Sequence, residues 1–243
     1  MTMTSQPRMN PTHRSLEGQT VVVIGGSRSI GYAVAELACK NGASVIAISR
    51  SGSAPAGVRG FAAHVADPAV LTAALQSAGV IDHLVHTAST PVGAPPLASL
   101  DEKAFSLAFD TKLFDALKAA RLALPYLAPR ASITLTSGQV SRKYGTGTLL
   151  KGMVNAAVDA AGHHLAHELA PRRVNVVSPG VIDTSLWGEA GSDARTGLMA
   201  TVAKVLPVER AGTPAEAAGA YLFLMTNAFV TGSVIDVNGG GLL

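Results

Sequence analysis

Short, nearly unbroken apolar runs alternate with longer stretches in which apolar residues recur every three or four positions, and this alternation continues almost to the end of the chain. The runs TVVVIGG, ASVIAISR, GFAAHVAD, IDHLVHTAS, ASITLTS, RVNVVSPG and SVIDVNGG read as strands, most of them too uniformly apolar to have a solvated face. SIGYAVAELACKNG, DPAVLTAALQSAG, GTLLKGMVNAAVDAAGHHLAHELAP and PAEAAGAYLFLMTN carry helical spacing. Asn41-Gly42 stops the first helix, and Asp67 caps the second with Pro68 at its first position. The stretch LDEKAFSLAFDTKLFDALKAARLALPYLAP predicts one long amphipathic helix, broken near its start and closed by Pro129. SGSAPAGVRG is too short and too rich in Gly, Pro and Ser for a full crossover helix, so mostly loop is expected there. Strands alternating with helices in this way predict βαβ units: a doubly wound α/β protein with a seven-stranded, mostly parallel sheet flanked by helices. No linker divides the chain, which is read as one domain over residues 18–243 behind a flexible polar tail over residues 1–17.

Composition narrows the function classes. Charged residues make up only 14% of the chain and apolar ones 48%, which suits a covered sheet, leaves a thinly charged surface and points to self-association as a homodimer or homotetramer. The formal charge of +3 comes from scattered basic residues that form no patch for nucleic acid. Cys39 is the single cysteine, so no internal disulfide can form. The opening MTMTSQPRMNPTHRSLEGQ lacks an apolar leader segment, and no apolar run nears the ~18 residues of a membrane span, so a cytoplasmic protein without membrane contact is expected. His163 and His164, with Glu168 nearby, have no ligand spacing to a third group, and no metal is expected.

VVVIGGSRSIG turns a strand sharply into a helix whose N–H groups and positive dipole end suit a pyrophosphate, although its spacing differs from G-x-G-x-x-G. The run resembles the T-G-x-x-x-G-x-G turn of the short-chain dehydrogenase/reductase family, with Gly25 and Gly31 matching, Ile24 at the threonine and Ser29 at the middle glycine. RVNVVSPGVIDT and RAGTPAEAAGAYLFLMTNAFVTGSVIDVNGG follow in the family's order, so the resemblance covers most of residues 18–241. It implies a Rossmann-type fold and a nicotinamide dinucleotide whose phosphates meet Gly25, Ser27, Arg28, Ser29, Ile30 and Gly31. It also implies that Val65, after His64, lies at the adenine, and that Ala88 and Ser89 of HTAS line the cofactor where the family has N-N-A-G. Pro179, Gly180, Ile182 and Thr184 are implied at the nicotinamide amide. The second strand ends in Ser49-Arg50, without the acidic residue that would take a ribose 2′-hydroxyl. Arg50 and Arg28 are read as a fork for a 2′-phosphate, which selects NADPH, against the alternative of two unrelated surface arginines.

Members of that family that reduce carbonyls use a serine, a tyrosine and, four residues after the tyrosine, a lysine that holds the nicotinamide ribose and lowers the tyrosine pKa. Ser137 and Lys151 match the serine and the lysine, but Gly147 stands four residues before Lys151. The nearest phenol, Tyr144, is seven residues before Lys151, about 10.5 Å along a helix axis against about 6 Å for a four-residue step. Two readings stay open: the glycines of YGTG let Tyr144 fold back as a substitute donor, or Tyr144 is a plain loop or interface aromatic. Asp110, in FDTKLFD, is placed where the family has an asparagine that helps hold a relay water, and is read as a candidate acid or base or as a solvent-paired helix residue.

Losing a general acid costs roughly 10²- to 10⁴-fold in rate. The penalty is least for a protonated imine, which accepts hydride and becomes a neutral amine, whereas a ketone becomes an alkoxide that needs a proton. SLWGEAGSDARTGLMATVAKVLP is expected to cover the substrate, with Trp187 as an apolar wall. The expected function is NADPH-dependent reduction of an imine or carbonyl of a small organic molecule. The alternatives are a non-redox cyclase or lyase reusing the pocket, and a catalytically silent nucleotide-binding subunit.

Overall fold

Neighbouring side chains of a single strand feed two different cores, which is why the central strands read as unbroken apolar runs. A computed structural model describes residues 15–243. On β1 (Thr20–Ile24), Val22 and Ile24 pack into one cluster and Val21 and Val23 into the other. On β2 (Ser44–Ser49), Ile46 and Ile48 are divided from Val45 and Ala47 in the same way. With β3 (Arg59–Ala62), β4 (Ile81–His86), β5 (Leu127–Thr136), β6 (Arg173–Pro179) and β7 (Val234–Val237) they form one parallel sheet, in the order β3-β2-β1-β4-β5-β6-β7.

The helices are α1 (Ser29–Lys40), α2 (Pro68–Gln76), α3 (Glu102–Phe109), α4 (Asp115–Ala123), α5 (Leu149–Glu168), α6 (Asp193–Ala203) and α7 (Pro214–Thr226). Leu71 and Leu75 of α2, Ala119 and Ala123 of α4 and Val158 of α5 pack on one face of the sheet. Val34 and Ala38 of α1 and Ala218, Tyr221 and Leu224 of α7 cover the other. Local chemistry sets their ends. Asp67 accepts from the Val70 N–H at 3.1 Å with Pro68 at the first position of α2, and Thr213 and Glu216 cap α7 reciprocally. Residues 50–58 carry no helix, as their Gly, Pro and Ser content predicts.

Two expectations are corrected. The long helix does break, at a π-helical turn over Asp110–Phe114, but it ends at Ala123 rather than at Pro129. Pro125 is the ring that a continuing helix cannot accept. Pro129 lies inside β5, where pairing with β4 shifts register between Ile81–Leu127 and His83–Ser132, so no ladder bond is required of it. The folded domain also begins before residue 18. Residues 1–14 lie outside the described residues, but Leu16 is fully buried in the second cluster and its N–H donates to the Asn41 carbonyl at 3.0 Å. Among the described residues no helix is long and apolar enough to cross a membrane.

Candidate active site

Winding proceeds outward in opposite directions from β1 and β4, so a crevice opens at their carboxyl ends. The β1–α1 turn approaches it with backbone alone. A Cβ added at Gly25 would stand 2.6 Å from the Ala88 nitrogen, and one at Gly31 would overlap the Gly25 carbonyl and Thr87 Oγ1. Arg28 caps α1 without a side-chain hydrogen bond, and no acidic residue occupies the first turn, which leaves those N–H groups and the positive helix end for an anion. The turn therefore fits a dinucleotide pyrophosphate. Arg28 and Arg50 are exposed, and no described acidic residue pairs with either. Ser49 Oγ accepts from the Gly52 N–H at 3.1 Å. Val65 is buried in the core beneath this edge, Ala88 abuts Gly25, and Ser89 is exposed.

Ser29 adopts φ +53°, a left-handed conformation that favours glycine. Its hydroxyl lies 3.4 Å from Ser185 Oγ, on the segment that follows β6. Ser29→Gly is expected to stabilise the chain by about 1 kcal/mol through relief of that strain. An unchanged or lower thermal midpoint would show that the Ser185 contact outweighs the strain. Beyond β6, Gly180 leaves room for Asn238, whose Cα would be 2.7 Å from a Cβ there, and Ile182 bridges to Gly212. Pro179 pairs with Val237, and Thr184 Oγ1 accepts from the Leu186 N–H. Trp187 Nε1 donates to the Ile182 carbonyl at 2.8 Å, tying that ring back to its own segment.

Ser137 follows β5 directly and is 3% exposed; its N–H donates to the Val177 carbonyl at 2.9 Å, and its buried Oγ has no partner among the described residues. Two glycines press α5 against this point. A Cβ at Gly152 would lie 3.0 Å from the Val140 carbonyl, and one at Gly138 would lie 3.1 Å from Asn155 Nδ2. Lys151, Asn155 and Asp159 share one face of α5 at four-residue intervals, so Lys151 is carried to the same strand end as Ser137. A small apolar pocket of ≈ 90 Å³ is lined by Pro91, Val92, Pro95, Leu107, Thr111 and Leu150, the last being the residue before Lys151. Among the described residues no group of three His, Cys, Asp or Glu could hold a metal; His163 Nδ1 instead meets the Gly232 carbonyl at 2.9 Å.

The enoyl-(acyl carrier protein) reductase family model matches residues 24–241. The chain is a short-chain dehydrogenase/reductase. Short-chain dehydrogenase/reductase ATR9 of Stachybotrys chlorohalonatus is 31% identical over 252 residues, covering 94% of this chain and 99% of that one. A small-chain dehydrogenase whose crystal structure is in complex with NADPH is 35% identical with a TM-score of 0.83, covering 92% of this chain and 98% of its own. The MalC reductase/Diels–Alderase of Malbranchea aurantiaca is 27% identical with a TM-score of 0.85, over 95% and 98%.

This short-chain dehydrogenase/reductase departs from the arrangement its resemblance implies at two places. Gly147 has φ +73°, and a Cβ there would stand 2.5 Å from the Ala94 carbonyl oxygen, so the loop after β4 closes the position against a side chain. Tyr144 is 88% exposed and lines a groove with Val140, Leu149 and Met153 on the outer side of α5; the structure does not bring it to Ser137. The fully buried phenol of Tyr221 meets Thr136 Oγ1 at 2.7 Å from the α7 side, and burial pushes it up, away from proton donation. Asp110, read as a candidate acid or base or as a solvent-paired helix residue, is exposed. The π-turn instead aims Lys112 inward, its Nζ donating to the Ser137 carbonyl at 3.0 Å. Burial, opposed by Asp159 and reinforced by Lys151, pulls the Lys112 ammonium down to about 8. His86, 3% exposed at the end of β4 with Nε2 unpartnered among the described residues, is pulled down to about 4 by burial and then by Lys112. Sequence reasoning missed Lys112. Its only signal was a charged residue inside a stretch whose helical period falters.

Proposed function

We propose that this enzyme uses NADPH to reduce a C=N or C=O group of a small organic molecule. The observation that carries the reading is the unpartnered, buried Ser137 hydroxyl at the end of β5, next to the Gly138–Asn155 approach that packs α5 there, on the same edge of the sheet as the uncapped glycine turn of α1. A bound reduced nicotinamide supplies hydride. The first-turn N–H groups of α1 hold the pyrophosphate, Lys151 holds the ribose, and Ser137 Oγ orients the substrate's oxygen or nitrogen by hydrogen bonding. Arg28 and Arg50 take the 2′-phosphate, and the NADPH complex of a 35% identical relative supports that choice.

The test is NADPH oxidation across panels of ketones, aldehydes and imines. Removing both arginines, Arg28→Ala with Arg50→Ala, is expected to weaken NADPH binding about 10-fold or more while NADH binding stays within a few-fold, since exposed charge-assisted contacts are each worth about 1 kcal/mol. Equal wild-type affinity for the two coenzymes in a fluorescence titration would remove the 2′-phosphate assignment. A second reading, a non-redox cyclisation in the same pocket, is supported by the likeness to a chain described as both reductase and Diels–Alderase. Product formed without loss of NADPH would favour it. Exposed Phe114, Leu149 and Met153 support self-association through the α4–α5 side, as a homodimer or homotetramer.

A further inference from the structure

We propose that Lys112 is the proton source of this site, and that its ammonium makes C=O, rather than a preformed iminium, the bond this chain reduces. The inference rests on the reductase reading above. Its geometry is local and unusual. A π-turn in the middle of an otherwise α-helical run, a feature that recurs at functional sites, places the one amine-bearing side chain of the turn against Ser137 at 3.0 Å. Among the described residues Nζ has that single acceptor although an ammonium carries three N–H donors. Around it stand buried polar atoms without described partners: Ser137 Oγ, His86 Nε2 and Asp159 Oδ1. Buried polar atoms are ordinarily satisfied, and a group of orphans beside a reactive serine marks a place where hydrogen bonds are completed by a reacting molecule.

The charge balance then selects the substrate. Lys112 and Lys151 lie close enough for Lys151 to disfavour the Lys112 charge. Lys112 and Lys151 with the single carboxylate of Asp159 leave a net formal positive charge at this strand end, which stabilises an oxygen that becomes negative and disfavours a carbon-nitrogen cation. In the step itself, a bound reduced nicotinamide would supply hydride to the carbonyl carbon, itself becoming the oxidised nicotinamide, as the π pair moves onto oxygen. A proton then leaves Lys112 Nζ for that oxygen, giving the alcohol and a neutral amine, which recovers its proton from water.

An ammonium titrating near 8 is matched to such a transfer at neutral pH. The charged and titratable groups facing it are His86 from β4 and Lys151 and Asp159 from α5; His86, held near 4, stays neutral over this range. Carbonyl reduction is therefore expected to fall as pH rises through about 8, where the donor loses its proton.

The experiment compares wild type, Lys112→Met and Lys112→Arg on ketones and on permanently charged N-alkyl iminium salts, following NADPH oxidation, NADPH affinity by fluorescence, and the pH titration of lysine resonances in isotope-labelled protein. The expected result is wild-type preference for ketones and a roughly 10²- to 10⁴-fold loss of ketone turnover in both variants. NADPH affinity should stay within a few-fold; iminium turnover should rise in Lys112→Met, which removes the repelling charge, and not in Lys112→Arg, which keeps it; and the lysine resonance that is missing from Lys112→Met should titrate near 8 in wild type. The arginine variant keeps the charge and the contact to Ser137, so its failure would report the proton and not the fold. Ketone turnover at the wild-type rate in Lys112→Met would overturn the inference alone, as would parallel loss of ketone, iminium and NADPH binding, or titration of that resonance above 10. Wild-type protein that oxidises no NADPH with either panel would overturn it together with the reductase reading.

Discussion

Replacing Gly147 with tyrosine is expected to destabilise the chain by about 2–4 kcal/mol and to leave ketone reduction no faster than in wild type. The left-handed backbone at φ +73° costs a non-glycine residue about 1–2 kcal/mol. The rest comes from the Ala94 carbonyl, 2.5 Å from where the Cβ must go, which can yield only if the loop after β4 moves. For a chain of this size that corresponds to a fall of about 5–15 °C in melting temperature. Gly147→Ala separates the contributions: it carries the backbone and Cβ strain without the ring. A tyrosine variant as stable as wild type, with ketone turnover raised 100-fold or more, would show that the loop gives way and the position accepts a phenol. The chemistry assigned to Ser137, Lys151 and Lys112 would then fail, since it requires that no phenol reach them.

The second large effect is acid sensitivity of the fold. His83 sits buried beneath the sheet's amino-terminal edge, its Nδ1 2.7 Å from Ser132 Oγ and its Nε2 2.5 Å from Gln19 Oε1. Burial, only partly offset by Asp82, pulls it down to about 4, and His86 is held near the same value. Both folded values lie below the 6.5 of an unfolded histidine. Between about 6.5 and about 4 the unfolded chain binds up to two more protons than the folded one, so stability is fully present above pH 6.5 and is lost as pH falls through this window. The loss approaches roughly 3 kcal/mol per histidine at pH 4. Urea midpoints at pH 7, 5.5 and 4.5 measure it. A flat midpoint across these values would mean that both imidazoles take up protons in the folded chain as readily as in the unfolded one. His83→Gln is expected to halve the slope. Glu216 does not confuse the reading: Arg210 pulls its carboxyl down to about 2, so its contribution is present above about 4.5 and disappears only below the histidine window.

Much of the architecture was legible because it depends on periodicity. Unbroken apolar strands with both faces buried and helices with spacing of three to four need no knowledge of distant residues, and Asp67-Pro68 and Asn41-Gly42 act on backbone a few positions away. Where two residues obey the same local rule, spacing along the chain does not choose between them. Pro125 and Pro129 both look like helix stops, and only the register shift between β4 and β5 explains why the second can lie in a strand. Leu16 was assigned to the tail because a lone apolar residue in a polar segment has no period to reveal its burial.

The site divides along the same line. The amino-acid order alone determined that a glycine turn opens the first helix, that Ser137 and Lys151 fall at neighbouring element ends, and that Gly147 stands four residues before the lysine, because these are statements about spacing along the chain. Only the tertiary structure decided that Ala94 closes against Gly147, that Tyr144 faces outward, and that Lys112 rather than Asp110 turns toward Ser137. Each of these depends on packing between segments distant in sequence or on the phase of a helix altered by a single π-turn. Asp110 and Lys112 are two residues apart, about 200° around a helix, so they face opposite ways and the phase of the turn decides which of them is brought to Ser137.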